Sequence, residues 1–157
     1  MIKTNVMRLL DKAGIYYEVK EYPVDENDLS GVHVAAVLGQ SVEQVFKTLV
    51  LKGDKIEYIV CCIPVADELN LKKVANITNN KKVEMLHRKD LQKVTGYIRG
   101  GCSPIGMKKK FPTFLDETGI LFDKIAVSAG VRGAQIIINP EVLCEFLEGQ
   151  FEDLVKV

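Results

Sequence analysis

Residues 46–64, FKTLVLKGDKIEYIVCCIP, read as two β-strands folded back on each other. FKTLVLK and KIEYIVCCIP are rich in branched and aromatic side chains and flank Gly53-Asp54, a turn pair suited to a hairpin. Cys61 and Cys62 are neighbours in the second strand, so their side chains point to opposite faces and cannot share a metal. Lys47 puts an amine into an apolar strand, where burial is costly unless an anion comes to it. A strand-borne lysine stands on rigid scaffold, which suits positioning a ligand. The other reading is a lysine on the open face or first turn of an edge strand.

Outward from this hairpin the chain alternates short helices and strands. Residues 3–13 place Val6, Leu9, Leu10 and Ala13 on one helical face, and Gly14 supplies a left-handed stop. IYYEVKEY (15–22) alternates as a strand. Ser30 caps a short helix ending at Gly39, and SVEQ (41–44) has the capping-box pattern of a helical turn. Asn70 caps LKKVANI, with basic amphipathic turns over 88–93. PTFLDE, KIAVSAG and AQIIIN are strand candidates, and Asn139-Pro140 opens a helix through EVLCEFLEG. No repeat or linker interrupts residues 1–157, so a single α+β domain around a mixed, curled sheet is expected.

With 157 residues, 47% of them hydrophobic, the chain has enough apolar surface to bury a core. No apolar run approaches the roughly 20 residues that span a bilayer, and MIKTNVMRLLDKAG lacks the pattern of a signal peptide. A cytoplasmic protein with no membrane partner is expected. The four cysteines form no CxxC pair and no zinc-ligand spacing, so reduced, packed thiols and no metal site are expected. The 21 acids balance the 21 bases, yet residues 72–110 hold eleven Lys or Arg against two acids. That +9 segment beside a −9 remainder suits contact with a polyanion. The same lysines could also be spread over several solvated faces.

RGGCSPIGMKKK (99–110) admits several chemistries. Gly101 and Gly106 have the four-residue gap of a P-loop, but Met107 and Lys108 replace its lysine and hydroxyl, and Pro104 removes an amide donor. Cys102 beside Arg99 could be a nucleophile, although neither His33 nor His87 belongs to a triad-like motif that would supply a base. Consecutive glycines let backbone approach a ligand and aim two N–H groups at one point, as an oxyanion hole requires. A tight turn between strands stands beside that reading.

The motifs F-K-T-L-V from Phe46, T-G-Y-I-R-G-G-C-S-P-I-G from Thr95 and V-S-A-G-V-R-G from Val127 together resemble the YbaK/EbsC family. These are trans-editing aminoacyl-tRNA deacylases, related to the editing domain of bacterial prolyl-tRNA synthetases. The resemblance runs co-linearly over essentially the whole chain and looks greatest toward the Cys-tRNA(Pro) deacylases. It implies a barrel-like mixed sheet with surrounding short helices, no cofactor, and cysteine esterified to the proline tRNA as substrate. It implies catalytic roles for Lys47 and for the Gly100 and Gly101 backbone, and a substrate site formed by Tyr22, Cys102, Ser103, Pro104, Ser128, Gly130 and Gln135. Gln135 stands where the family commonly has an aspartate, which leaves no acid there.

The implied mechanism borrows its nucleophile from the substrate: the cysteinyl thiol attacks its own ester, giving a thiolactone and free tRNA. A monomer or weak homodimer, with prolyl-tRNA synthetase as a partner, goes with this resemblance. Two alternatives share the scaffold. One is an Ala- or Ser-tRNA deacylase using water, and the other is a non-catalytic RNA- or protein-binding module.

Overall fold

A computed structural model describes residues 3–157. The chain runs through α1 (Asn5–Lys12), β1 (Glu18–Glu21), α2 (Gly31–Leu38), β2 (Phe46–Gly53), β3 (Tyr58–Pro64), α3 (Leu71–Ile77) and β4 (Val83–Met85). It continues through α4 (Arg88–Thr95), β5 (Thr113–Asp116), β6 (Ile125–Ser128), β7 (Ala134–Ile138), α5 (Pro140–Phe146) and β8 (Gln150–Glu152). A 3₁₀ helix covers Glu117–Leu121.

The capping residues act as their chemistry dictates. Asn70 Oδ1 accepts from the Lys72 and Lys73 amides (3.1 and 3.2 Å), and Asn139 Oδ1 accepts from Glu141 and Val142 (both 3.0 Å). Ser30 Oγ accepts from His33 N at 3.3 Å, and Gly39 closes α2 at φ 67°. The SVEQ stretch departs from expectation. Ser41 Oγ meets the Glu43 amide, but the Gln44 side chain donates to Lys124 O (3.3 Å) instead of reaching back, and only a turn forms. In α1 the buried face is Val6, Met7 and Leu10, while Ala13 is exposed past the helix end. The strand expected over 15–22 narrows to β1, the stretch that pairs with β7, and Tyr17 just before it donates its hydroxyl to Asp11 at 2.8 Å.

β2 and β3 form the expected antiparallel hairpin, with Lys47 opposite Ile63 and Lys52 opposite Tyr58. Its loop is longer than a two-residue turn: Gly53 N donates to Glu57 O at 2.9 Å. The hairpin centres a mixed five-stranded sheet of order β4-β2-β3-β5-β8, in which β5 lies parallel to both neighbours. A second, antiparallel sheet has the order β1-β7-β6. The two meet at a parallel bridge, Val45 with Ala126, reinforced by Ala126 N to Gln44 O at 2.9 Å. The α+β class and the mixed sheets hold, but no barrel closes; the curl is two sheets hinged at this bridge.

Cys61 and Cys62 point to opposite faces of β3, each into a different core. Cys62 joins Val6, Leu10, Phe46, Val50, Val127 and Leu143, while Cys61 joins Leu51, Ile59, Ile63 and Val74 under α3. Apolar cover on both faces explains why β3 is buried along nearly its whole length. Burial pushes both thiols up, Cys62 to about 12, so they pack as small hydrophobes. Among the described residues no helix is long and apolar enough to cross a membrane.

Candidate functional site

Where the two sheets meet, the fold leaves a cavity of about 340 Å³. β4 pairs only with Leu51–Gly53, so the first half of β2 lacks a second neighbour on that side. Phe46, Lys47, Thr48 and Leu49 therefore line the cavity from the five-stranded sheet. Ser128 and Gln135, directly opposite each other on β6 and β7, line it from the second sheet. Tyr22, the start of α2 and the loop residues Arg99, Gly100 and Cys102 complete the wall.

The charges in this wall have one sign. Lys47 and Arg99 are cationic, the N-terminal end of α2 adds a partial positive charge, and no carboxylate lines the cavity. Lys47 is half-buried and forms no ion pair among the described residues. Burial holds its pKa below the ordinary 10.5, partly opposed by Asp67 and Glu68.

The glycine-rich loop is fastened along its length. Tyr97 donates its hydroxyl to Ile105 O, Ser103 Oγ accepts from Ile105 N (3.2 Å), and Arg132 Nε donates to Arg99 O (2.9 Å). Gly100 takes φ 84°, a left-handed conformation that favours glycine. Gly101 is needed for a different reason. A Cβ there would lie 3.1 Å from the Arg132 nitrogen and 3.1 Å from the Val131 carbonyl carbon, so the loop packs backbone to backbone on the β6–β7 connection.

The expected pair of glycine amides is corrected here. Gly101 N donates to Ile98 O (3.0 Å), closing a turn, and is not free for a ligand. Gly100 and Cys102 both line the cavity, and their amides have no acceptor among the described residues. Ser103, fully buried, and Pro104, facing a separate groove, lie behind the loop. Gly130 also lies outside the cavity; its amide donates to Ser128 Oγ (3.1 Å), and a Cβ would meet Val6 and Tyr97. These three serve the site as scaffold. Tyr22, Lys47, Gly100, Cys102, Ser128 and Gln135 are the expected residues that the fold brings together.

Cys102 is a poor nucleophile in this setting. Burial pushes its thiol up to about 11, only partly offset by a hydrogen bond with Thr95. Neither histidine lines the cavity: His33 sits 3.7 Å from Asp28, and His87 precedes α4. Thr48, missed in the sequence, brings a hydroxyl to the wall, 3.7 Å from Cys62 Sγ. No group of three potential metal ligands occurs among the described residues. Part of the basic segment is neutralised from outside, since Lys73 pairs with Asp153 (2.8 Å) and Lys110 with Glu148.

A cationic, acid-free cavity walled by a tightly fastened glycine loop goes with the comparisons to known proteins. Residues 29–146 match the aminoacyl-tRNA editing domain, and the chain belongs to that family. A protein of Enterococcus faecalis with the provisional name Cys-tRNA(Pro)/Cys-tRNA(Cys) deacylase EbsC is 49% identical over 152 residues, covering 97% of this chain and 93% of that protein. A proline–tRNA ligase of Brachyspira hyodysenteriae is 31% identical over 78 residues, half of this chain and 14% of the ligase. Among solved structures, one described as a candidate trans-editing enzyme for prolyl-tRNA synthetase superposes over all of both chains, with a TM-score of 0.86 at 22% identity. That likeness establishes the fold.

Proposed function

We propose that this protein is a deacylase that removes cysteine from mischarged Cys-tRNA(Pro), and from Cys-tRNA(Cys) as a second substrate. The observation that carries the proposal is the cavity that Lys47 shares with Gly100 and Cys102, loop residues whose amides lack acceptors among the described residues. The near full-length identity to a protein named for Cys-tRNA deacylation supports the substrate. The similarity to a segment of a proline–tRNA ligase supports the tRNA(Pro) side, with prolyl-tRNA synthetase as the partner that releases the mischarged product.

The cysteinyl sulfur attacks the ester carbonyl carbon, a C–S bond forms, and the carbonyl oxygen takes up negative charge. The Gly100 and Cys102 amides receive that oxyanion. The carbon–oxygen ester bond then breaks, and the ribose oxygen leaves with the proton that the thiol gave up. The products are cysteine thiolactone and free tRNA. The protein supplies geometry and charge instead of a nucleophile, which agrees with the raised thiol pKa of Cys102 and the absence of a histidine from the cavity wall. Alignment for an intramolecular attack can lower a barrier by ~7–11 kcal/mol, and one oxyanion donor is worth about 2.7–4 kcal/mol. Lys47 holds the ribose-phosphate end of the acceptor terminus, an anionic partner that offsets the cost of its burial.

Deacylation of Cys-tRNA(Pro), Cys-tRNA(Cys) and Ala-tRNA(Pro), with products identified by mass, tests the proposal. Thiolactone from both cysteinyl substrates and slow loss of alanine are expected. Alanine released as fast as cysteine would instead make water the nucleophile.

A further inference from the structure

Gln135 makes a demand that the rest of the protein leaves unmet. It is 6% exposed and sits on β7, the middle strand of the three-stranded sheet, where it lines the cavity. Its Oε1 is buried, and no donor among the described residues reaches it. Ser128, directly across the strand pair, forms no hydrogen bond with it; the Ser128 oxygen accepts from the Gly130 amide at 3.1 Å. A buried carbonyl left without a donor costs free energy, and a ligand that brings an N–H or O–H removes that cost.

The cavity itself narrows the choice of donor. Lys47 and Arg99 can only donate, so they suit the phosphate and ribose oxygens of an aminoacyl ester. The substrate sulfur is a weak donor and has to approach the carbonyl carbon. The α-amino group has N–H hydrogens in either protonation state. No carboxylate lines the cavity to compete for it, and the buried Gln135 carbonyl, which has no donor of its own, is the acceptor that gains most from it.

We infer that Gln135 accepts a hydrogen bond from the free α-amino group of the esterified amino acid and so selects esters whose amine is present and unblocked. This rests on the deacylase reading above and adds to it the group that reads the backbone end of the amino acid.

The test compares Cys-tRNA(Pro) with 3-mercaptopropionyl-tRNA(Pro), which keeps the thiol and ester but lacks the amine. Each rate is divided by the spontaneous hydrolysis of the same ester. Wild type should prefer the cysteinyl ester by about 5- to 150-fold, as expected when one buried acceptor loses its donor. Gln135→Met, similar in volume but without the carbonyl, should shrink the preference below about 3-fold, while Gln135→Glu should preserve or widen it. Melting curves report whether each variant folds. Should Gln135→Met not fold, the wild-type and Gln135→Glu ratios decide, and a narrowed ratio in Gln135→Glu overturns the inference. It is equally overturned if wild type cleaves both esters alike, or if folded Gln135→Met keeps the full preference. No cleavage of Cys-tRNA(Pro) by wild type would overturn the deacylase reading and this inference with it; cleavage without preference overturns the inference alone.

Discussion

Lys47 and Gln135 line one cavity although they sit on different sheets, β2 and β7. The bridge between Val45 and Ala126 brings them there, only two residues before Lys47 and two before Ser128, the strand partner of Gln135. One residue can only donate hydrogen bonds, and the other carries an unmet acceptor. A small rotation about the sheet junction would move one relative to the other, so the closely packed core beneath it also sets the geometry of the site.

Replacing Lys47 by Met should separate activity from stability. Deacylation should fall by on the order of 10²-fold, the scale seen when a substrate loses its alignment with the reacting groups. Because burial lowers the Lys47 pKa below 10.5, the charged side chain disfavours the folded state at neutral pH. The variant should therefore melt at the same temperature as wild type or higher. The sign fixes the pH trend: the wild-type deficit is complete below the folded pKa and shrinks as pH rises through it toward 10.5. Urea unfolding of both proteins across that alkaline range checks this, and a less stable variant at neutral pH would contradict it.

Cys102→Ala should leave turnover close to wild type. The thiol stands at about 11, is protonated at neutral pH and has no histidine beside it in the cavity wall. Slow labelling of the native protein by iodoacetamide should accompany retained activity. A loss of several orders of magnitude would make Cys102 the nucleophile.

Gly101→Ala should damage activity through the backbone. The added methyl meets the Val131 and Arg132 main chain at 3.1 Å, and main chain cannot swing aside as a side chain can. A loop displaced by about an ångström can cost on the order of 10² in rate. Gly39→Ala is the control. It is strained by φ 67° but meets nothing within 4 Å and lies outside the cavity wall, so it should lose stability and keep its rate. Single-turnover rates beside melting curves distinguish the two.

Asn80 holds the β2–β3 loop from below. Its Oδ1 accepts from the Lys55 and Ile56 amides at 2.7 and 3.0 Å, and its Nδ2 donates to Thr78 Oγ1 at 2.7 Å. Asn80→Ala takes the acceptor from the part-buried Lys55 and Ile56 amides, while Thr78 Oγ1 keeps its bond to Val74 O, and should cost about 1–3 kcal/mol in urea unfolding. Activity should persist where the protein stays folded, because Asn80 lies outside the cavity wall.

Much of this was legible in the sequence where the physics is local. Asn70, Ser30 and Asn139 satisfy helix-end amides within a turn of themselves, and the opposite facing of Cys61 and Cys62 follows from strand geometry alone. Lys47 stood out because an amine in an apolar strand needs an explanation. SVEQ misled because Gln44 had a distant alternative, the Lys124 carbonyl across the sheet junction. The short strand β8 escaped notice, since QFE has no pattern of its own and is a strand only because β5 offers it an edge. Two consecutive glycines suggested two presented amides, but the Ile98 turn takes one of them, a choice made by the loop's packing on the β6–β7 connection. The unmet Gln135 carbonyl depends on what β1, β6 and the cavity leave around it, and no window of sequence contains that.

The most direct measurement is the single-turnover deacylation of Cys-tRNA(Pro) beside S-methylcysteinyl-tRNA(Pro). The blocked substrate keeps its amine, its ester and nearly its shape, and loses only a sulfur able to attack. With the substrate thiol as nucleophile, the methylated ester should be cleaved ~100-fold more slowly or worse, and thiolactone should form only from the free thiol. Equal rates, with S-methylcysteine released by water, would contradict the mechanism.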